Sequence, residues 1–264
     1  MSGDPRTLRL VGLAALVAVA YLLQRLRPFA GRPGSLRVNA VLFVLGGAVT
    51  ALVCGLCMVW ASQLAREAGV GVFNIIEAPA AVSLAATVMG LDLVSYWWHR
   101  ANHRIAFFWR FHKVHHSDTA LTVSTAARFH PGELLLSFPM RMAGIVVLGA
   151  PAAAVVVFET VFNAFNYFEH ADIGEGRTIE KLAGALFIVP ALHRRHHMAC
   201  ISLLNSNFGT VFSLWDRLFG TFGAGPPSEG YKVGLPTADE VPGVAAALLM
   251  PMENEPLASV RNAR

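Results

Sequence analysis

The sequence predicts an all-α integral membrane protein, and three observations carry that reading. Hydrophobic residues make up 55% of the 264 and charged residues only 14%, where a soluble domain carries roughly a quarter charged. Apolar runs of spanning length alternate with short basic loops. All ten histidines fall between His99 and His197, beside the ends of those runs. At this length one integral-membrane domain is expected rather than two separate ones. The net charge of +4 is modest. Its basic residues form no aromatic-interleaved patch, so nucleic acid is not an expected partner.

A spanning helix needs about twenty mainly apolar residues. Residues 8–23 are a short first candidate. Gln24-Arg25-Leu26-Arg27 follows them where a signal peptide would have a small-residue cleavage site, so the segment reads as a retained helix. Residues 38–61 are the second span, and Cys54 and Cys57 lie inside it. Reactive thiols need an electropositive, partly exposed setting, so both are expected as buried apolar residues. With Cys200 alone besides, no disulfide framework is indicated. Residues 72–98 contain the third span, interrupted near its start by Glu77 and Pro79 and closing on the interfacial cluster Tyr96-Trp97-Trp98. Arg25, Arg27, Arg32 and Arg37 fill the first loop, and cytoplasmic loops carry such an excess of basic residues. That loop is expected inside, so the third helix returns His99 to the cytoplasmic face.

Residues 134–167 form the next apolar stretch. As one straight helix they would extend about 51 Å at 1.5 Å per residue, placing His130 and His170 on opposite sides of the membrane. If both ends belong near one centre, the segment must turn back. Gly149-Ala150-Pro151 is the expected turn, giving a helical hairpin with limbs of about sixteen residues. Residues 173–181 are polar, and 182–192 are apolar but too short to cross, which suits an interfacial or buried segment. From about residue 223 the chain is rich in Gly, Pro and acidic residues and reads as a cytoplasmic tail.

The histidine spacing carries chemistry. His99 and His103 are i and i+4; His112, His115 and His116 are i, i+3 and i+4, as are His193, His196 and His197. Residues so spaced share a helix face, so each group is expected to aim its imidazoles at one point, and several such turns can enclose a pair of ions. Neutral imidazole is the commonest protein metal ligand near neutral pH. It suits iron, zinc and copper, and no thiolate cluster is present to favour a structural zinc site. His170 ends the segment Asn166-Tyr167-Phe168-Glu169-His170 and is favoured as a further ligand, with Asn166 beside it as an oxygen donor or water-holder. His130 either coordinates or hydrogen-bonds nearby. Asp92 lies two turns before His99 within an apolar helix. Intramembrane carboxylates are costly and usually functional, so it is expected to support a ligand imidazole, with Glu133, Glu169, Asp172 and Asp216 as further candidates.

These residues together resemble the fatty acid hydroxylase/sterol desaturase superfamily. The resemblance runs over about residues 91–236. It rests on Asp92 through His99 and His103, Phe111-His112 with His115-His116-Ser117, Arg128-Phe129-His130-Pro131, the Asn166–His170 segment, and His193 with His196-His197. Asn205-Ser206-Asn207-Phe208-Gly209 and Trp215-Asp216-Arg217-Leu218-Phe219-Gly220-Thr221 continue it. The resemblance implies a cytoplasmic helical cap carrying a non-haem di-iron centre. Its implied ligands are His99, His103, His112, His115, His116, His170, His193, His196 and His197, with water, Asn166 or His130 open for a tenth position. It also implies a lipid substrate, O2 as co-substrate, and hydroxylation or desaturation with no catalytic side chain beyond the metal ligands. Electrons would come from a separate carrier of ferredoxin or cytochrome b5 type with its reductase. The implied location is multi-pass, in a bacterial inner membrane. The domain organisation then reads as N-terminal membrane helices over 1–90, a histidine-box region over 91–222 including the hairpin, and the tail over 223–264.

Two other functions use histidine-rich membrane sites. A zinc metallohydrolase usually adds a carboxylate ligand or general-base Glu, as in His-Glu-x-x-His, and neither triplet has one in that place. A metal transporter carries ionisable residues along the membrane interior, whereas these histidines sit beside span ends.

Overall fold

The computed structural model describes residues 5–54, 57–224, 232–236 and 240–253. Among them the architecture is helical, without a strand and with only isolated bridges between loops. Three helical stretches are long and apolar enough to cross a membrane: Leu36–Ile75, Ala80–Arg104 and Pro131–Leu148. Two of them contain most of the second and third expected runs, and the other is the first limb of the hairpin. The first run lies in α1 (Pro5–Leu26), a helix of 22 residues. The second comprises α2 (Leu36–Val49), a π-helical turn over Thr50–Cys54 and α3 (Cys57–Glu67). The third run is split: α4 (Val72–Ile75) stands apart, and α5 begins at Ala80 behind Pro79 and continues to Arg104. Proline has no N–H to continue a helix, so Glu77 and Pro79 form a break. Cys57 is half-buried and Cys200 exposed; the expectation for Cys54 concerns a side chain outside those described.

The hairpin turns where Gly and Pro place it. α7 (Pro131–Leu148) and α8 (Ala152–Glu169) are joined by Gly149-Ala150-Pro151, with Gly149 left-handed at φ 60°. Each limb has 18 residues, a little longer than expected. Both limbs pack along α5, and α3 closes over them. Ala61, Leu91, Ile145, Ala150, Val155 and Phe158 form the shared core, and Ser62 donates to the Ala150 carbonyl at 2.5 Å. In lipid such packing rests on close contact and hydrogen bonds, because lipid tails are as apolar as the side chains. Phe43, Val44, Leu52, Trp60 and Val147 project outward, exposed, as lipid-facing residues do.

The two ends of this bundle differ in kind. At one end the turn after α3 meets the hairpin tip: Gly71, at φ 95°, lies so close that an added Cβ would sit 2.3 Å from Gly149 N and 2.4 Å from Val146 O. At the other end the polar cap assembles. Ile105, in extended conformation, ends α5 and turns the chain into α6 (Ala106–His116). A 3-10 turn follows at Val123–Ala127. After the hairpin come α9 (Arg177–Ala183), α10 (Pro190–His196), α11 (Ile201–Leu204), α12 (Leu214–Leu218) and α13 (Val244–Leu249).

Arg128 pins this cap to the bundle. Fully buried, it donates to Val114 O, Ser117 Oγ and Asn39 Oδ1, tying α6 and the 3-10 turn to α2. The described part of the C-terminal segment also packs back rather than forming a free tail. Ala247 and Met250 bury against Val38, Leu42 and Val114, and Gly234 N donates to His197 O at 3.0 Å. Within 182–192, Ile188, Val189 and Leu192 are buried while Leu182 and Leu186 face outward.

Gly71→Ala is expected to lower thermal stability in detergent by about 2 kcal/mol or more, from overpacking and from strain at positive φ. Gly47→Ala meets no atom within 4 Å and is expected to stay within about 1 kcal/mol of the parent. Equal melting temperatures for the two variants would contradict the close approach at the hairpin tip.

Candidate metal centre

Nine histidines converge at the cap end of the bundle, and they sort into two sets. His99, His103, His112, His116 and His196 form one; His115, His170, His193 and His197 form the other. Within each set one nitrogen per ring lies within 4.8 Å of all the others. The sets interleave. From the first triplet His112 and His116 enter the five-residue set and His115 the other; from the second, His193 and His197 enter the four-residue set and His196 the other. This corrects the expectation that each triplet aims at one point. On a helix i and i+4 lie about 40° apart, whereas i+3 falls about 100° from i+4, so a triplet straddles two points and binds the sets together.

The outward nitrogens show how the rings are oriented. His112 Nδ1 donates to Glu133 Oε1 at 2.7 Å, and Asn102 Nδ2 donates to the same oxygen. His99 Nδ1 donates to Phe208 O at 2.9 Å, His196 Nδ1 to Ser206 O at 2.8 Å, His170 Nδ1 to Asn166 O at 2.6 Å and His115 Nδ1 to Arg128 O at 3.3 Å. His193 Nδ1 lies 3.7 Å from Glu169 Oε2. A neutral imidazole that donates from Nδ1 must present a lone pair at Nε2.

For His115 and His170 these lone pairs face each other, and further Nε2 atoms crowd beside them. His170 Nε2 is 3.1 Å from His115 Nε2 and 3.0 Å from His193 Nε2; His197 Nε2 is 3.1 Å from His193 Nε2. His116 Nε2 is 3.2 Å from His112 Nε2. The Nε2 atoms of His99, His103 and His196 are buried with no hydrogen-bond partner. Protonation does not relieve the repulsion. Burial, reinforced by the neighbouring imidazoles, holds His115, His116, His193 and His197 well below the ordinary histidine value. Burial likewise takes His170 down to about 4 and His196 to about 3. Metal–imidazole bonds of about 2.0–2.1 Å set neighbouring donors about 3 Å apart, the spacing seen here. The donor set therefore fits two cations.

Three further candidates stand outside the two sets. His130 stands outside both sets: its Nδ1 accepts from Gly132 N at the start of α7, its Nε2 donates to Leu248 O, and its ring packs on Phe111. Asn166 uses its side chain to donate to Ala126 O and its backbone carbonyl to orient His170. Asp92 touches no imidazole through a hydrogen bond. Its carboxylate accepts from Val211 N, Phe212 N and Trp215 Nε1, so it anchors the loop that carries Ser206 O and Phe208 O to their histidines. Asp216 holds the same loop through Phe208 N and Gly209 N. Asp172 instead fixes Ala30 N and Gly31 N beyond α1. The backbone carbonyls that orient four of the nine rings could not be found from side-chain patterns.

A cavity of about 500 Å³ opens beside the site between α2, α7 and α8. His99, His112, His115, His170 and His193 line its inner end, and Leu42, Phe43 and Gly46 line the α2 wall.

The chain belongs to the fatty acid hydroxylase family, whose model matches residues 84–221, just over half of the sequence. It is 30% identical over 171 residues to the ornithine lipid hydroxylase of Rhizobium tropici, covering 64% of this chain and 50% of that protein. It is 29% identical over 160 residues to the alkylglycerol monooxygenase of Caenorhabditis elegans, 57% of this chain and 30% of that one. Human lathosterol oxidase is 26% identical over 153 residues, 58% and 47% of the two chains. The chain thus spans half or less of the length of these curated relatives. No solved structure gives a significant match.

Asp92→Asn is expected to destabilise the protein by about 2 kcal/mol, because one amide oxygen must replace a carboxylate that serves three buried donors. Hydrogen exchange of the Val211 and Phe212 amides should accelerate. Unchanged exchange there would remove the anchoring role.

Proposed function

We propose that this protein is a membrane-bound non-haem di-iron oxidoreductase that uses O2 and external electrons to hydroxylate or desaturate a lipid. The convergence of nine imidazoles into two adjoining sets carries the reading. His99, His103, His112, His116 and His196 would hold one ion, and His115, His170, His193 and His197 the other. Imidazole-rich, thiolate-free donors suit iron. Iron so held supplies the oxidising power that an unactivated C–H bond requires, which acid–base and nucleophilic side chains lack.

The chain's own residues do the rest. Glu133 and the carbonyls of Arg128, Asn166, Ser206 and Phe208 hold the rings in one tautomer. The cavity between α2, α7 and α8 admits an apolar substrate from the lipid side and ends on five of the histidines. Its narrow, helix-lined form keeps a chain or ring carbon against the site and limits water. Neither Glu133 nor Glu169 is placed as a hydrolytic base, since each faces an outward histidine nitrogen. That weakens the zinc hydrolase alternative.

Further features belong to the same reading. The basic loop with Arg25, Arg27, Arg32 and Arg37 lies at the histidine end of the bundle, which supports a cytoplasmic cap. A bacterial inner membrane is the location we propose. Electrons would come from a separate carrier of ferredoxin or cytochrome b5 type. Residues 1–90 would serve as the membrane-anchoring part, 91–222 as the catalytic part and 223–264 as a cytoplasmic segment folded partly onto it.

Purified protein is expected to bind about two iron ions per chain by elemental analysis, one for each set. His196→Ala should lower bound iron and abolish lipid oxidation, whereas His130→Ala should keep the full iron content. Full activity in His196→Ala, or zinc in place of iron with hydrolytic turnover, would overturn the proposal. Glu133→Gln is expected to weaken metal binding about 10- to 100-fold, the usual cost of losing a partner behind a ligand histidine. A chelator competition assay measures it.

A further inference from the structure

The wall of the substrate cavity contains charges where an apolar chain would want none. On α7, Glu133, Ser137 and Arg141 follow one another at i, i+4 and i+8; on α8, Glu159, Asn163 and Asn166 share a face in the same way. All six line the cavity, opposite the apolar wall of α2. The two polar stripes start at the metal centre, through Glu133 and Asn166, and end at a charged pair: Arg141 Nη1 donates to Glu159 Oε1 at 3.4 Å. Counted along the helices at 1.5 Å per residue, Arg141 lies about 12 Å from Glu133 and Glu159 about 16 Å from His170.

We propose that Arg141 and Glu159 form a subsite for a hydroxyl group of the substrate. The proposal rests on the lipid-oxidising function above and narrows its substrate class to a hydroxyl-bearing lipid rather than a plain hydrocarbon tail. Three observations lead to it. The pair is a poor brace, since the contact is long and uses one guanidinium nitrogen. The guanidinium also covers the Phe162 ring at 4.8 Å, on the cavity wall that Arg141 lines. A charge within a membrane helix is costly and needs a reason.

The chemistry selects the group. Arg141 only donates hydrogen bonds and ionised Glu159 only accepts. A hydroxyl does both and can bridge them. A carboxylate would meet repulsion from Glu159, a bare carbonyl would use only the arginine, and a methyl end would leave both unsatisfied. With the hydroxyl held there, the carbon presented to the metal centre lies about 12–16 Å away along the substrate. The subsite would therefore set the position of oxidation.

The test uses the purified full chain in phosphatidylcholine nanodiscs with a photoreactive 1-hexadecanol whose diazirine adjoins the hydroxyl. A matched probe ends in hydrogen instead. The alcohol is expected to cross-link to the 137–163 region at least about tenfold more than the hydrocarbon, the ratio that one charge-assisted hydrogen bond supplies. Arg141→Leu and Glu159→Leu should each reduce that preference to near unity, with bound metal unchanged, and Arg141→Lys should restore part of it. Equal labelling by both probes in the parent protein, or an undiminished preference in both leucine variants, would overturn the subsite. Because labelling needs no turnover, absence of lipid oxidation with the preference intact would count against the proposed function alone.

Discussion

Imidazole nitrogens crowded together in a buried space are the constraint on which the rest of this structure depends. His115, His170, His193 and His197 bring four Nε2 atoms into a chain of contacts at about 3 Å. Such crowding of donor atoms is unfavourable where two lone pairs meet, and a cation makes it favourable. The fold must therefore impose it, and for five of the nine rings it does so from the outward side. Every Nδ1 that donates outward needs an acceptor fixed in place. Those acceptors come from the turn after α6, the last turn of α8 and the loop before α12. Two of the three are held by a second layer of charge: Arg128 by Val114, Ser117 and Asn39, and the 206–216 loop by Asp92 and Asp216. The charged residues buried deepest in the cap thus act on the metal centre without touching it.

The membrane helices serve the same end by geometry. α5 delivers His99 and His103 on its last turns, and α8 delivers His170 just past its own. That places both at one end only because the chain reverses at Gly149-Ala150-Pro151. The opposite end contains the close backbone contact at Gly71 and none of the histidines. Stability of the bundle and chemistry of the cap are therefore separable in space, although α5 belongs to both.

Much of the fold and of the site was legible in the sequence, for identifiable reasons. The hairpin followed from a length argument and a Gly-Ala-Pro turn. Eight of the nine histidines followed from helical spacing, which survives whatever the tertiary structure does, and His170 from the hairpin argument. What could not be read was the partition of each triplet between two sets, because it depends on where neighbouring helices stand. Carbonyl acceptors such as Phe208 O carry no side-chain signature. Asp92 stands out in the sequence as a carboxylate within an apolar helix, expected to support a ligand imidazole, but its partners lie some 120 residues away in the 206–216 loop, beyond any local pattern. His130 sits one residue before α7 and caps it, a use of histidine that its spacing does not distinguish from ligation. The segment after residue 223 has a tail's composition, yet a short apolar run, Val244–Leu249, suffices to dock it on α2.

The cavity and the metal centre share side chains, and this limits how such a protein can change its substrate. Glu133 and Asn166 each line the cavity, and each also orients a histidine, one by its carboxylate and the other by its backbone carbonyl. Substituting Glu133 to suit a different substrate would disturb His112 at once. Asn166 is freer, since a carbonyl survives any side chain, although its amide also ties the 3-10 turn to α8. One turn further out, Ser137 and Asn163 bond only to the backbone of their own helices, and Arg141 and Glu159 bond to each other. Positions at the far end of the stripes can therefore vary without reaching the imidazoles. On the proposed subsite, the residues that would distinguish lipids stand two or more helical turns from those that would hold the metal, so the far end of the stripes can change while the nine histidines stay fixed.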